Sequence, residues 1–216
     1  MRSDSLTRYL RAGDFSSAFY DLRDCIAGIL RHIEAIRLGR AITVDHGDAV
    51  CTFRLPEDKD SKLHLYLMGL LRKIQTKEFT KRQTEVRGAI GTLFRENLGD
   101  REAEPIDIVL LGTSPEKQGH GYGKALVKAV TDIGDAKGLA VTVVTTDAYK
   151  FYEAVGFKLV AETIVGVDNP SWDGAPIHVR LLLREPHRHG SGEEQIPKAA
   201  SDESSVITHR TGRTEL

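Results

Sequence analysis

Three glycines within five residues, Gly119, Gly121 and Gly123, lie between an apolar run and an amphipathic run. No other feature limits the fold of this 216-residue chain as strongly. The run before it, residues 106–112 (IDIVLLG), is nearly all apolar, as in a central strand covered on both faces. The run after it, residues 124–138, carries Ala125, Leu126, Ala129, Val130 and Ile133 at helical spacing. A strand that feeds a helix through glycines presents unpaired N–H groups at the positive end of a helix dipole. Glycines let a backbone approach an anion closely, so the junction suits a phosphate or pyrophosphate.

Three loop patterns compete for residues 118–124, QGHGYGK. The nucleotide-triphosphate loop, GxxxxGK followed by Ser or Thr, fails at two positions. Gln118 stands where its first glycine belongs, and Ala125 replaces the hydroxyl that would hold magnesium. The dinucleotide fingerprint GxGxxG has a different spacing and belongs in the first strand–helix unit of a domain, whereas this loop follows several elements. The pattern Gln/Arg-x-x-Gly-x-Gly/Ala fits throughout, at Gln118, Gly121 and Gly123.

The flanking sequence supplies a mixed α/β frame. Apolar positions at Phe19, Leu22, Ile26, Ile29, Ile33 and Ile36 predict a packing helix over 16–39. Residues 41–55 read as a β-hairpin turning at His46-Gly47-Asp48 and ending at Pro56, with a charged loop over 57–62. Residues 62–98 form two helices with an exposed join, or one bent helix. Lys77, Lys81 and Arg82 lie in a polar stretch, 75–85, that reads as a solvated face. Residues 139–145 form a second buried strand, 147–155 a short helix ending at Gly156, and 157–165 with 177–184 a last antiparallel hairpin. The expected organisation is an irregular segment over 1–15, one domain over 16–185 and a tail over 186–216. That tail is too poor in apolar residues to offset chain entropy and is expected to be disordered. His187 and His189 in it make a poor metal site, and no metal is expected.

Composition narrows the partners. Thirty Lys+Arg against 31 Asp+Glu leave a formal charge of −1, so no global field favours nucleic acid or anionic lipid. No apolar run approaches the ~20 residues that span a bilayer, and the N-terminus lacks a secretory h-region. Cys25 and Cys51 form no CxxC and no disulfide framework. A cytoplasmic location is expected, with neither nucleic acid nor membrane as partner, as monomer or homodimer.

Two motifs carry a family resemblance. Residues 114–123, SPEKQGHGYG, followed by Ala-Leu-Val, resemble the acetyl-CoA motif of the GNAT superfamily of N-acetyltransferases. Residues 148–157, AYKFYEAVGF, resemble its second signature, Ala-x-x-Phe-Tyr-x-x-x-Gly-Phe. Both stand in order about thirty residues apart, with a helix and a strand between them. The resemblance covers roughly residues 106–160 closely and implies a GNAT-like α/β fold. Its central sheet would be mostly antiparallel, with a parallel pair at the cofactor cleft.

The resemblance implies transfer of an acetyl group from acetyl-CoA, as substrate, to an amine acceptor by direct attack on the thioester. The acceptor would be a small molecule or a protein amine. The alternative is a non-catalytic acyl-CoA-binding regulatory module; a nucleotide-binding protein would rest on the glycine loop alone. On the family pattern, Gln118, Gly119, His120, Gly121, Tyr122, Gly123 and Lys124 would receive the pyrophosphate. Leu111, Gly112 and Thr113 would line the pantetheine arm, with a main-chain N–H near Leu111 as oxyanion donor. Tyr152, paired with Phe151, would stand beside the sulfur as general acid. Asp107 lies eleven residues before Gln118, the spacing of the family's carboxylate base; it is also placed to be no more than the exposed start of its strand. Thr145 occupies the place of an asparagine that holds the adjoining strand and helix open. No clear first strand precedes the 16–39 helix.

Overall fold

A computed structural model describes residues 4–12, 18–102, 104–167 and 169–187. The elements run α1 Ser5–Arg11, α2 Ala18–Arg37, β1 Ala41–Val44, β2 Ala49–Arg54, α3 Lys62–Lys73 and α4 Lys77–Leu98. They continue β3 Ile106–Thr113, α5 Tyr122–Lys137, β4 Val141–Thr145, α6 Tyr149–Ala154, β5 Lys158–Val165 and β6 Ile177–Arg184. One six-stranded sheet has the order β1-β2-β3-β4-β6-β5. Every pairing is antiparallel except β3 with β4. The fold is the mixed α/β, mostly antiparallel GNAT-like arrangement that the motifs imply.

Each face of the sheet has its own core. On one, Leu126, Val127 and Val130 of α5 pack with Ile106 and Ile108 of β3, Cys51 and Phe53 of β2, and Tyr152 of α6. On the other, Tyr9 of α1 and Val86 and Leu93 of α4 pack with Val165, Val179 and Leu181. The helices start where their caps dictate. Asp4, Ser61 and Thr76 each accept a hydrogen bond from the backbone N–H three residues on, opening α1, α3 and α4. Gly138, left-handed at φ +68°, ends α5 and turns the chain back into β4.

Four expectations need correction. The first fifteen residues are not irregular throughout, since α1 occupies Ser5–Arg11. Its backbone N–H and hydroxyl at Ser5 both donate to Asp147, and no strand precedes α2 among the described residues. The aliphatic stripe of α2 is not a packing face: Leu22, Ile26, Ile29, Ile33 and Ile36 are exposed, while Arg23 and Glu34 face inward. The 75–85 stretch is not uniformly solvated, because Phe79 and Arg82 are buried. Finally, β3 is not covered on both faces along its length, as Val109 and Leu110 are exposed. The expected tail lies, from residue 188 onward, outside the described residues; His187 before it donates its N–H to Asp135 (2.7 Å).

Candidate functional site

The parallel pairing of β3 with β4 lasts only three residue pairs, Ile106–Val141, Asp107–Thr142 and Ile108–Val143. Beyond them the strands separate. β3 follows β2 and β4 follows β6, so one edge of each strand opens into a wedge. The register between β2 and β3 slips at Thr52/Phe53, opposite Val109, a bulge that bends β3 away. The wedge is a cavity of about 310 Å³ lined by Ile108, Leu111, Val144, Thr145 and Tyr152, with Leu6 of α1 contributing one wall.

At the outer end of β3 the glycine loop delivers the chain into α5. Gly119 and Gly121 adopt φ of +81° and +83°, a region in which glycine alone is unstrained. A Cβ built on either would meet nothing, so the loop has open space above it. Gly121 caps α5 without any side-chain bond, and the first helical bond of the loop runs from Ala125 N–H to Gly121 O (3.0 Å). The N–H groups of Tyr122, Gly123 and Lys124 precede that bond and point out of the helix end. Such an arrangement of backbone N–H groups suits an anion.

Gly123 has a different reason to be glycine. A Cβ there would lie 3.4 Å from the Phe151 ring, so the two sequence motifs touch at this point. Phe151 in turn packs edge-on to Tyr152, and Tyr152 edge-on to Phe157. The Tyr152 ring is buried, yet its hydroxyl makes no hydrogen bond to any described residue. Burial, then the neighbouring Cys51 and Asp107, hold that hydroxyl protonated well above the usual tyrosine range. Cys51, buried beside it, is itself pushed up to about 12 and is a neutral thiol.

Asp107 lies on the face of β3 opposite Ile106 and Ile108, beside Thr142, whose hydroxyl donates to it at 3.4 Å. Burial raises its pKa to about 6, only partly offset by Thr142 and by Arg54. A carboxyl whose folded pKa lies above its unfolded value of 3.8 costs nothing below pH 4, destabilises the fold progressively as pH rises toward 6, and keeps that full cost above it. Asp107→Asn is therefore expected to raise stability at pH 8 by roughly 2–3 kcal/mol. That advantage should vanish near pH 4. Thermal melts across this pH range check it; a pH-independent difference would contradict a buried, titrating carboxyl.

The other positions singled out by sequence divide clearly. Leu111 borders the wedge, with Gly112 and Thr113 continuing β3 toward the loop. Thr145 also borders it, and its hydroxyl accepts from Ala148 N–H (3.3 Å), which opens the turn into α6. Gln118 folds back on Thr113 O (3.4 Å), and His120 contacts Gln118 O (3.0 Å). Tyr122 turns its hydroxyl away to Asp45 (2.8 Å), where Lys117 also binds, so the β1–β2 turn braces the loop. Lys124 is exposed. Sequence reasoning missed Val109 and Leu110. They border both the wedge and a second cavity, of about 380 Å³, walled by α2, β2 and the start of α3 and including Arg31, His32, Arg54 and His64. The signal was present: around a bulge, neighbouring apolar residues face the same side of a strand. No cluster of three or more metal-ligating side chains occurs among the described residues, and none of their helices is long and apolar enough to cross a membrane.

With this geometry in place, comparison with known proteins is informative. The model of the acetyltransferase (GNAT) domain matches residues 81–159, which include the glycine loop and both motifs. The resemblance to the GNAT superfamily is borne out there and in the sheet. An agmatine N-acetyltransferase mutant in its apo form superposes with a TM-score of 0.52 at 18% identity, over 82% of this chain and 86% of that one. Drosophila melanogaster polyamine N acetyltransferase gives 0.45 at 16%, over 70% and 77%. Nourseothricin acetyltransferase gives 0.32 at 22%, over 38% of this chain and only 49% of its own length. At 18% identity the likeness to the agmatine N-acetyltransferase is one of fold. No curated protein sequence matches the chain.

Proposed function

We propose that this protein transfers an acetyl group from acetyl-CoA to an amine. One observation carries the reading: a glycine loop with free backbone N–H groups, a wedge of free strand edges beside Leu111, and a Tyr152 hydroxyl bonded to no described residue follow one another from the end of β3 to α6. The pyrophosphate would rest on the loop of Gly119, Gly121 and Gly123. The pantetheine arm would run along the open edge of β3 past Leu111, where strand-edge amides suit an extended chain. The thioester would then lie near Tyr152. The acceptor would enter from the second cavity, which borders the wedge at Val109 and Leu110.

The chemistry follows from charge. An alkyl ammonium, pKa near ~10.4, must shed a proton before it can attack. Asp107, ionised above pH 6 and partly buried, takes that proton. The neutral nitrogen adds to the carbonyl carbon, the C–S bond breaks, and Tyr152 protonates the departing thiolate. The second proton lost from nitrogen replaces the one Tyr152 gave. Cys51, a neutral thiol, takes no part as nucleophile.

Release of free thiol from acetyl-CoA on addition of an amine panel tests the reading. Acetyl-CoA that binds without turnover with any amine would leave only an acyl-CoA-binding module. The cradle has its own test. Gly121→Asp places a carboxylate where the pyrophosphate should lie, and acetyl-CoA affinity is expected to fall at least about tenfold, or ~1.4 kcal/mol. Gly121→Ala shares the backbone strain without the charge and should lose less. Calorimetry showing unchanged affinity in a folded Asp variant would remove the loop from the cofactor site.

A further inference from the structure

We propose that α2 and α3 form the interface of a homodimer, with α2 packed antiparallel against its own copy. Of the fifteen large apolar side chains exposed among the described residues, nine lie on these two helices and a tenth, Ile74, caps α3. On α2 they are Leu22, Ile26, Ile29, Ile33 and Ile36, between 38% and 66% exposed. Their steps alternate four and three residues, the repeat by which two helices interlock as a coiled coil. On α3, Leu63, Tyr66, Leu70 and Ile74 make a second stripe, and α3 packs beside α2.

The protomer does not need this face. It holds α2 through a different side, where Glu34 accepts from Ser61 N–H and pairs with Arg37, and Arg23 stacks on Phe79. A helix whose aliphatic stripe is left outside, while its inward side carries ions, is built to be covered by something else.

A second copy fits better than any other cover. Antiparallel pairing centred on Ile29 sets Ile29 against its own copy and Leu22 against Ile36, with Ile26 of one copy within one residue of Ile33 of the other. One flank of the seam carries Cys25 and His32, with neither carboxylate, lysine nor arginine. On the other flank Arg23 is paired with Asp24 and Arg37 with Glu34, both at 2.7 Å, so no uncompensated like charges confront each other. The nine side chains of these two stripes expose on the order of 900 Å², above the ~800 Å² per partner of a standard interface. Residues 188–216 offer only Ile196, Val206, Ile207 and Leu216 as large aliphatics, too few to cover nine.

Analytical ultracentrifugation of the full chain over a dilution series is the test. The expected result is a reversible dimer at tens of micromolar. Ile29→Asp combined with Ile33→Asp should raise the dissociation constant at least about a hundredfold. The helical circular dichroism and the melting curve of the monomer should not change, because neither side chain is buried. In a Cys25→Ser background, Ile29→Cys should give an intermolecular disulfide on mild oxidation, and Leu22→Cys should not. A full chain that stays monomeric overturns the proposal. So does a dimer that survives the double substitution, cross-linking through position 22 rather than 29, or dimerisation that appears only after residues 188–216 are removed.

Discussion

Replacing Tyr152 by Phe is expected to slow acetyl transfer by about 10²–10⁴-fold while leaving acetyl-CoA affinity nearly unchanged. The phenylalanine ring keeps the edge contacts that Tyr152 makes with Phe151 and Phe157, at 5.1 and 5.5 Å between centroids, so α6 stays in place. Only the hydroxyl goes, and it is bonded to no described residue. Loss of an unbonded hydroxyl should cost little stability, which separates the catalytic role from a packing role in one experiment. Single-turnover kinetics with saturating acetyl-CoA give the chemical step directly. An unchanged rate in the variant would reduce Tyr152 to a core aromatic, and an affinity loss matching the rate loss would make it a binding group.

The second large effect lies away from the wedge. Arg82→Ala should destabilise the fold by about 3–5 kcal/mol, the cost of leaving buried partners unpaired. Arg82 is fully buried and donates to the carbonyls of Tyr9 (2.6 Å), Ala12 and Ser171 (2.8 Å), and it pairs with Glu78 (2.8 Å). Its guanidinium also lies 5.0 Å from the centre of the Tyr9 ring. One side chain thus ties the end of α1 and the loop before β6 to α4. In a protein of this size the loss corresponds to a fall of roughly 10 °C or more in melting temperature. Arg82→Lys should recover part of it, because an ammonium reaches fewer of the four acceptors. A melting temperature within a degree or two of wild type for Arg82→Ala would show that α1 is held without Arg82, by its apolar contacts and its bonds to Asp147.

The elements that sequence reasoning recovers are those whose signal is local. The 41–55 hairpin is marked by β-branched arms and a glycine turn, α5 by its apolar spacing and Gly138, and the glycine loop by its composition. What it misreads depends on distant partners. Helix α1 is seven residues long, too short for periodicity to register, and it owes its place to Asp147 and Arg82, which are far away in sequence. Arg82 looks like its neighbours Lys77 and Lys81 until three carbonyls are seen around it. The stripe on α2 has a flawless helical spacing, but spacing says only that one face is apolar, not which body covers it. Likewise the apolar run of β3 announces burial, and the structure instead parts it from β4 after Ile108. A strand that opens a cleft and a strand buried in a core have the same composition.

That parting divides the sheet into two halves. β1, β2 and β3 form one plate, with α5 packed chiefly on it; β4, β6 and β5 form another, with α4 and α6 packed on its faces. The plates meet along three residue pairs and through a core they share, in which Tyr152 and Phe157 pack with Ile106, Ile108 and α5. The glycine loop rides on the first plate and Tyr152 on the second. The span between the anion cradle and the hydroxyl is therefore set by the angle between two plates, not by any single loop. A molecule lying along the wedge bridges both and works as a gauge of that angle. A chain of the right length holds its reactive end at the hydroxyl only while that angle keeps its setting.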